Sequence, residues 1–131
     1  GGALAHLGGP VIGLGLDAVE VDRFRRVLAR TPGVARRVFT DGERSYGAEA
    51  RDPAPRLAAR FAAKEAAMKA LGVGIGAVGW HDVEVVRAAG GAPSLRVTGR
   101  AAALAAAQGV TGWRVSLTHT DAAAEAIVVT L

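Results

Sequence analysis

A chain of 131 residues, half of them hydrophobic but only 5% aromatic, is long enough for one core, and that core must be built from Ala, Val and Leu. The absence of cysteine excludes disulfides, thiol catalysis and cysteine-ligated zinc. A formal charge of +4 favours an anionic partner, but the basic stretch has few interleaved aromatics and no zinc, RNA-recognition or helix-turn-helix pattern, which argues against nucleic acid.

Residues 1–10, GGALAHLGGP, have no charged start and no sustained apolar run, so they read as a flexible leader and not a secretory signal. The rest, 11–131, reads as a single domain. VIGLGLDAVEV (11–21) has the pattern of a strand buried on both faces, with Asp17 near its end. Its G-x-G-x-D run lacks the third glycine and the spacing of a dinucleotide fingerprint. Asp22 is placed to cap a helix over DRFRRVLAR, which Thr31-Pro32-Gly33 ends. Thr40-Asp41-Gly42-Glu43 has the form of a capping box and predicts a short helix. The central helix is predicted over 56–71, after Pro53 and Pro55 and before Gly72-Val73-Gly74. Two short strands, 81–88 and 93–99, flank the turn Ala89-Gly90-Gly91-Ala92; an alanine-rich helix follows over 100–108. Strands over 113–120 and 123–131 are close enough to form a hairpin. The order predicts an α+β domain, helices packed on a mainly antiparallel sheet. No apolar run reaches the roughly 18 to 20 residues that span a bilayer, so a cytoplasmic protein is expected. So small an apolar domain also gains from oligomerising.

The central helix is where the charges become informative. The chain has fourteen arginines and two lysines, and both lysines, Lys64 and Lys69, lie in RFAAKEAAMKALGVGI (60–75). Between them stands Glu65, the only acid in the 29 residues from Pro53 to His81. At about 100° per residue, Leu57, Phe61, Lys64, Met68 and Leu71 share one stripe, so Lys64 interrupts an apolar face. An ammonium there must reach water or an anion. One reading is a snorkelling Lys64 beside an ordinary Glu65–Lys69 pair. The other is a polar patch at a cleft, one carboxylate for a cation and two ammoniums for phosphate. The helix alone does not choose between them.

IGLGLDAVEVDRF (12–24), RFAAKEAAMKALGVGI (60–75) and VSLTHT (115–120) resemble, in order and spacing, segments of the holo-acyl-carrier-protein synthases, members of the 4′-phosphopantetheinyl transferase superfamily. HDVEVVRAAGGAPSLRVTG is similar to that family's strand–turn–strand segment. The resemblance runs from about Val11 to the C-terminus. It implies the fold of that superfamily and a Mg²⁺-dependent transfer of the phosphopantetheine arm of coenzyme A to a serine of an apo acyl carrier protein, releasing adenosine 3′,5′-bisphosphate. It further implies a role in cytoplasmic fatty-acid and lipid metabolism, and homotrimers with coenzyme A bound between subunits.

Residue by residue, Asp17 and Glu65 match the family's magnesium-ligating carboxylates, and Lys69 a lysine near the reacting phosphate; these three are the expected catalytic set. Mg²⁺ takes one or two protein carboxylates and leaves positions for phosphate and water. Arg60 and Lys64 match positions associated with coenzyme A, as do Gly72, Gly74, Pro93 and His119. Val73 stands where family members often carry a hydroxyl, and Ala92 where they usually carry a lysine. For the general base a Mg²⁺-polarised water is favoured over Glu65 and Glu20, because in a regular strand Glu20 points away from Asp17. Six arginines and no acid lie between Arg23 and Arg37. Arg23 and Arg30 match positions that dock the acidic carrier protein, and Arg26 joins them by helical geometry. The alternative of a docking module without catalysis is disfavoured by the presence of Asp17, Glu65 and Lys69 together.

Overall fold

The structure is a computed structural model and describes residues 10–88 and 90–131. In chain order the elements are β1 (Gly13–Glu20), α1 (Val21–Arg30), α2 (Val34–Val38), α3 (Asp41–Ala48) and α4 (Ala54–Ala70). After a 3₁₀ turn at Trp80–Asp82 come β2 (Val83–Arg87), β3 (Pro93–Val97), α5 (Gly99–Ala107), β4 (Trp113–His119) and β5 (Ala123–Thr130). β5 pairs antiparallel with both β1 and β4, giving the order β1-β5-β4, while β2 and β3 form a separate antiparallel hairpin. This is the expected α+β arrangement of antiparallel sheets and packed helices. The leader expected over 1–10 lies, apart from Pro10, outside the described residues, as does Ala89 of the β2–β3 turn.

Helix α4 is the axis of the domain. Pro53 is its N-cap and Pro55 lies in the first turn, where no backbone N–H is needed. At the other end Gly72 takes φ +74°. Its N–H donates to the Lys69 carbonyl, and Val73 N–H donates to the Met68 carbonyl, both at 3.0 Å. That pair of bonds is a Schellman ending, which requires the left-handed conformation glycine tolerates. Along its length Ala62, Ala63, Ala66, Ala67 and Ala70 are buried, so the helix presents a surface with almost no side-chain depth. β1 exploits this. A Cβ on Gly15 would land on the Ala66 carbonyl oxygen, and one on Gly13 on the Ala70 carbonyl oxygen. Strand and helix therefore touch at a separation only glycine permits.

The same packing corrects the reading of β1. Burial on both faces is predicted, but only the glycine face is covered, by α4. On the other face Leu14 and Leu16 are 60% and 64% exposed, beside Ile127 of β5 at 39%. Two further differences are local. Glu20, not Asp22, is the N-cap position of α1, because β1 runs straight into the helix; Asp22 sits in the first turn and pairs with Arg25. The short helix α2 is missed, since five residues are too few to show a helical period. The capping box of α3 forms as expected between Thr40 and Glu43. No described helix is long and apolar enough to cross a membrane.

Candidate active site

Strand alternation puts Asp17 on the same face as Gly13 and Gly15, so the close approach of β1 to α4 presses this carboxylate against the helix. The stripe it meets is Phe61, Glu65 and Lys69, spaced four residues apart. A cleft of about 510 Å³ opens here, where β1 passes into α1. Its charged lining is Asp17, Glu20, Arg23, Glu65 and Lys69, and Phe24, Val27, Val34 and Phe61 are among its apolar lining. Lys69 Nζ lies 2.9 Å from Asp17 Oδ1 and donates to the Leu16 carbonyl at 3.0 Å. The lysine thus reaches across to β1, where the bland helical reading paired it with Glu65. Burial pushes the Glu65 carboxyl above the usual range; the Asp17 charge adds to this, and Lys69 opposes it. Glu20, expected to point away from Asp17, lines the same cleft because the chain turns into α1 immediately after it.

Two carboxylates therefore line one cleft, Glu65 raised by burial first and by the Asp17 charge second, with Lys69 as the cation on Asp17. Among the described residues no group of three or more His, Cys, Asp or Glu could hold a metal. The donor set is therefore unsuited to a closed zinc cage but fits Mg²⁺, which keeps positions for phosphate and water beside one or two carboxylates.

Lys64 is not in this cleft, and the expectation that it meets coenzyme A phosphates needs correction. It is 1% exposed. Its ammonium lies 2.8 Å from Glu43 Oε1 and donates to the carbonyls of Val83 and Trp80 at 2.6 and 2.9 Å. All three donors are committed, so neither snorkelling nor a phosphate contact is available to it in this conformation. Burial lowers the Lys64 pKa against the pull of Glu43. Glu43 in turn accepts from Thr40 N–H and Val85 N–H, each at 3.0 Å. One buried ion pair thereby ties α3, α4 and β2 together. Sequence reasoning identifies Glu43 as a capping-box acid but misses its second role. The available signal was an unexplained lysine in an apolar stripe and an acid with an unassigned second oxygen.

The remaining expected residues are dispersed. Arg60 is buried on another face of α4, over the Tyr46 ring. Gly72 and Gly74 are exposed at the exit of α4, Pro93 begins β3, and His119 ends β4. None of these lines the cleft. Arg23, Arg26 and Arg30 are exposed on α1, whereas Arg25 is tied to Asp22 and Asp52.

Known proteins with this architecture supply the class. The family model described as the 4′-phosphopantetheinyl transferase superfamily matches residues 13–126. The chain is 53% identical over 119 residues to a holo-[acyl-carrier-protein] synthase of Frankia casuarinae, covering 91% of this chain and 96% of that one. The holo-[acyl-carrier-protein] synthase of Neisseria meningitidis superposes with a TM-score of 0.84 at 31% identity, over 93% of this chain and 99% of the other. A Bacillus anthracis holo-(acyl-carrier-protein) synthase, solved in complex with CoA (3′,5′-ADP), gives 0.76 at 30% identity, covering 92% and 96%. The chain belongs to the 4′-phosphopantetheinyl transferase superfamily and is a transferase. Within that class its similarity is to the holo-[acyl-carrier-protein] synthases, along nearly their whole length.

Proposed function

We propose that the cleft transfers the 4′-phosphopantetheine group of coenzyme A to a serine hydroxyl of an apo acyl carrier protein, with adenosine 3′,5′-bisphosphate as the other product. The observation that carries this reading is that Asp17, Glu65 and Lys69 line one cleft, Lys69 2.9 Å from Asp17, with Arg23 in the same lining. In the transfer, the serine oxygen forms a bond to the phosphorus bearing the pantetheine arm, and the bond from that phosphorus to the bisphosphate oxygen breaks. Asp17 and Glu65 would hold Mg²⁺, which when bound neutralises diphosphate charge and lowers the pKa of a water able to take the serine proton. Lys69, presently on Asp17, is placed to turn toward phosphate and stabilise charge on the equatorial and departing oxygens. Glu65 and Glu20 also line the cleft and are the alternative protein acceptors of that proton.

The exposed arginines Arg23, Arg26 and Arg30 form the face on which an acidic carrier helix would dock. Gly74, Pro93 and His119 lie outside the protomer's own cleft, so a contact between them and coenzyme A calls for neighbouring subunits. The uncovered apolar face of Leu14, Leu16 and Ile127 supplies a surface for such an assembly, which we take to be a homotrimer. The test is to incubate the chain with coenzyme A, Mg²⁺ and an apo carrier protein and to weigh the carrier. A gain of one phosphopantetheine is expected; binding of the carrier without any gain refutes the transfer.

A further inference from the structure

The apolar lining of the cleft is drawn from separate helices: Phe24 and Val27 from α1, Val34 from α2 and Phe61 from α4. α2 has five residues, too few to hold a helix by its own hydrogen bonds, so something outside it must place Val34. Phe61 is half-buried, and a ring open to the cleft on one side needs a surface behind it. Both supports come from the 3₁₀ turn at Trp80–Asp82, which does not itself line the cleft.

The Trp80 ring stacks on Phe61, with 5.3 Å between centroids and 27° between planes. Phe61 meets Phe24 at 5.3 Å, and Phe24 meets Phe39 edge-on at 6.0 Å, so the wall belongs to a continuous column of rings. The next residue, His81, places its ring Nε2 2.9 Å from the Arg36 carbonyl, which accepts a hydrogen bond when that nitrogen carries its hydrogen. This carbonyl lies in the last turn of α2, where a helix has no N–H left to meet it; the Thr40 N–H goes to Glu43 instead. The turn is anchored from behind. The Trp80 carbonyl accepts from Lys64 at 2.9 Å. Asp82 accepts from Gly79 N–H at 3.0 Å and from Ala101 N–H of α5 at 3.3 Å, and its carbonyl accepts from Thr98 N–H at 2.8 Å.

We propose that Trp80 and His81 are positioning residues for the carrier protein, Trp80 acting through Phe61 and His81 through α2, which together set the wall the carrier meets. This rests on the transferase reading of the cleft. The carrier is the substrate concerned because the wall stands on α1 and α2, which bear the exposed Arg23, Arg26, Arg30, Arg36 and Arg37. Steady-state transfer with the full chain, apo carrier, coenzyme A and Mg²⁺ tests it. In Trp80→Leu, which keeps an apolar side chain but no ring, KM for the carrier should rise about three- to tenfold. KM for coenzyme A and kcat should change little, and Trp80→Phe should restore most of the loss. His81→Ala, at an exposed position, should raise the same KM, and His81→Gln, whose amide keeps a donor, should lower it again; if Trp80→Leu does not fold, this pair decides. A merely structural role would instead lower the urea midpoint without selecting the carrier over coenzyme A. In a Trp113→Phe background Trp80 is the sole tryptophan, and its emission should shift on adding a tryptophan-free carrier but not coenzyme A. Wild-type KM for the carrier in both Trp80→Leu and His81→Ala, equal rises in both KM values, or an emission that ignores the carrier overturns the proposal. Failure of the transferase reading would show separately, as absent mass gain with the wild-type chain, and leaves the emission shift decisive.

Discussion

Replacing Lys64 with Met separates a structural lysine from a ligand-binding one. Met approximates the length of the side chain but removes the ammonium, so Glu43 loses its ion-pair partner and the carbonyls of Trp80 and Val83 lose a donor. Breaking a buried pair from one side costs about 3–5 kcal/mol, because the surviving charge remains out of water. Here Glu43 keeps two backbone N–H donors at 3.0 Å, which partly solvate it and place the expected loss near the lower end, about 3 kcal/mol. For a domain of this size that is a drop of roughly 10–15 °C in Tm, out of a total stability of about 5–15 kcal/mol. The double variant Glu43→Gln/Lys64→Met removes both charges and retains an acceptor and much of the packing. It should recover a large part of the loss, a coupling of about 1–3 kcal/mol. Urea denaturation of the four members of the cycle measures this, with coenzyme A affinity determined on each folded variant. An unchanged urea midpoint in Lys64→Met together with weakened coenzyme A binding would refute the reasoning and return Lys64 to the ligand site.

Gly15→Ala drives a methyl group onto the backbone of α4. Overpacking of about 1–3 kcal/mol should exceed the roughly 0.4–1 kcal/mol gained by stiffening the unfolded chain, and transfer activity should fall further than the urea midpoint because Asp17 is lifted from Lys69; full activity would show the approach to be dispensable. Glu65 has a raised folded pKa, so the native state holds its proton more tightly than the unfolded chain. Stability from this group is present below the ordinary carboxyl range and lost as pH rises through the folded value. Without metal, Glu65→Gln should therefore be at least as stable as wild type at pH 7, the difference shrinking as pH falls through the folded value and closing by about pH 4.5, while Mg²⁺ raises the Tm of wild type only; a uniform loss of stability at all pH values counts against this. Arg30→Glu, exposed on α1 and outside the cleft lining, should weaken association with the carrier and its salt dependence without changing coenzyme A affinity, which calorimetry with each ligand checks. Leu16→Glu, on the uncovered sheet face, should shift the assembly to monomers in light scattering; an unchanged mass places the interface elsewhere.

How much of this was legible in the sequence depends on the range of each interaction. The capping box at Thr40, the glycine exit of α4 and the β4–β5 hairpin are encoded within a few residues, and each forms where the pattern puts it. The convergence of Asp17 with Glu65 and Lys69 is not local. It depends on β1 lying against α4, which the two glycines at 13 and 15 allow but do not announce. Lys64 was misread for the same reason. Its partner Glu43 is on another helix, and one charge in an apolar stripe looks alike whether it is answered by a ligand or by a buried acid. The exposure of Leu14 and Leu16 was missed because an apolar face awaiting a partner has the composition of one already covered.

Helix α4 shows why a single charged stretch admitted two readings. Its alanines take β1 and the sheet; its Phe61–Glu65–Lys69 stripe lines the cleft; its Arg60 and Lys64 face α3 and β2, one lysine fully neutralised and one arginine left with a free N–H. Neighbouring positions on one helix thus answer to different partners. The Lys64–Glu43 pair ties α3, α4 and β2 together, and α4 also carries Glu65 and Lys69 of the cleft. A side chain on a helix braced by such a pair has its charge placed before any ligand arrives, which is the condition under which fixed charges stabilise a reacting phosphate most effectively. If so, loosening the pair should reduce transfer through misplacement of Lys69 even in chains that remain folded. In Lys64→Met that effect would appear as a lower kcat with little change in KM for coenzyme A, a pattern that lost phosphate binding would not produce.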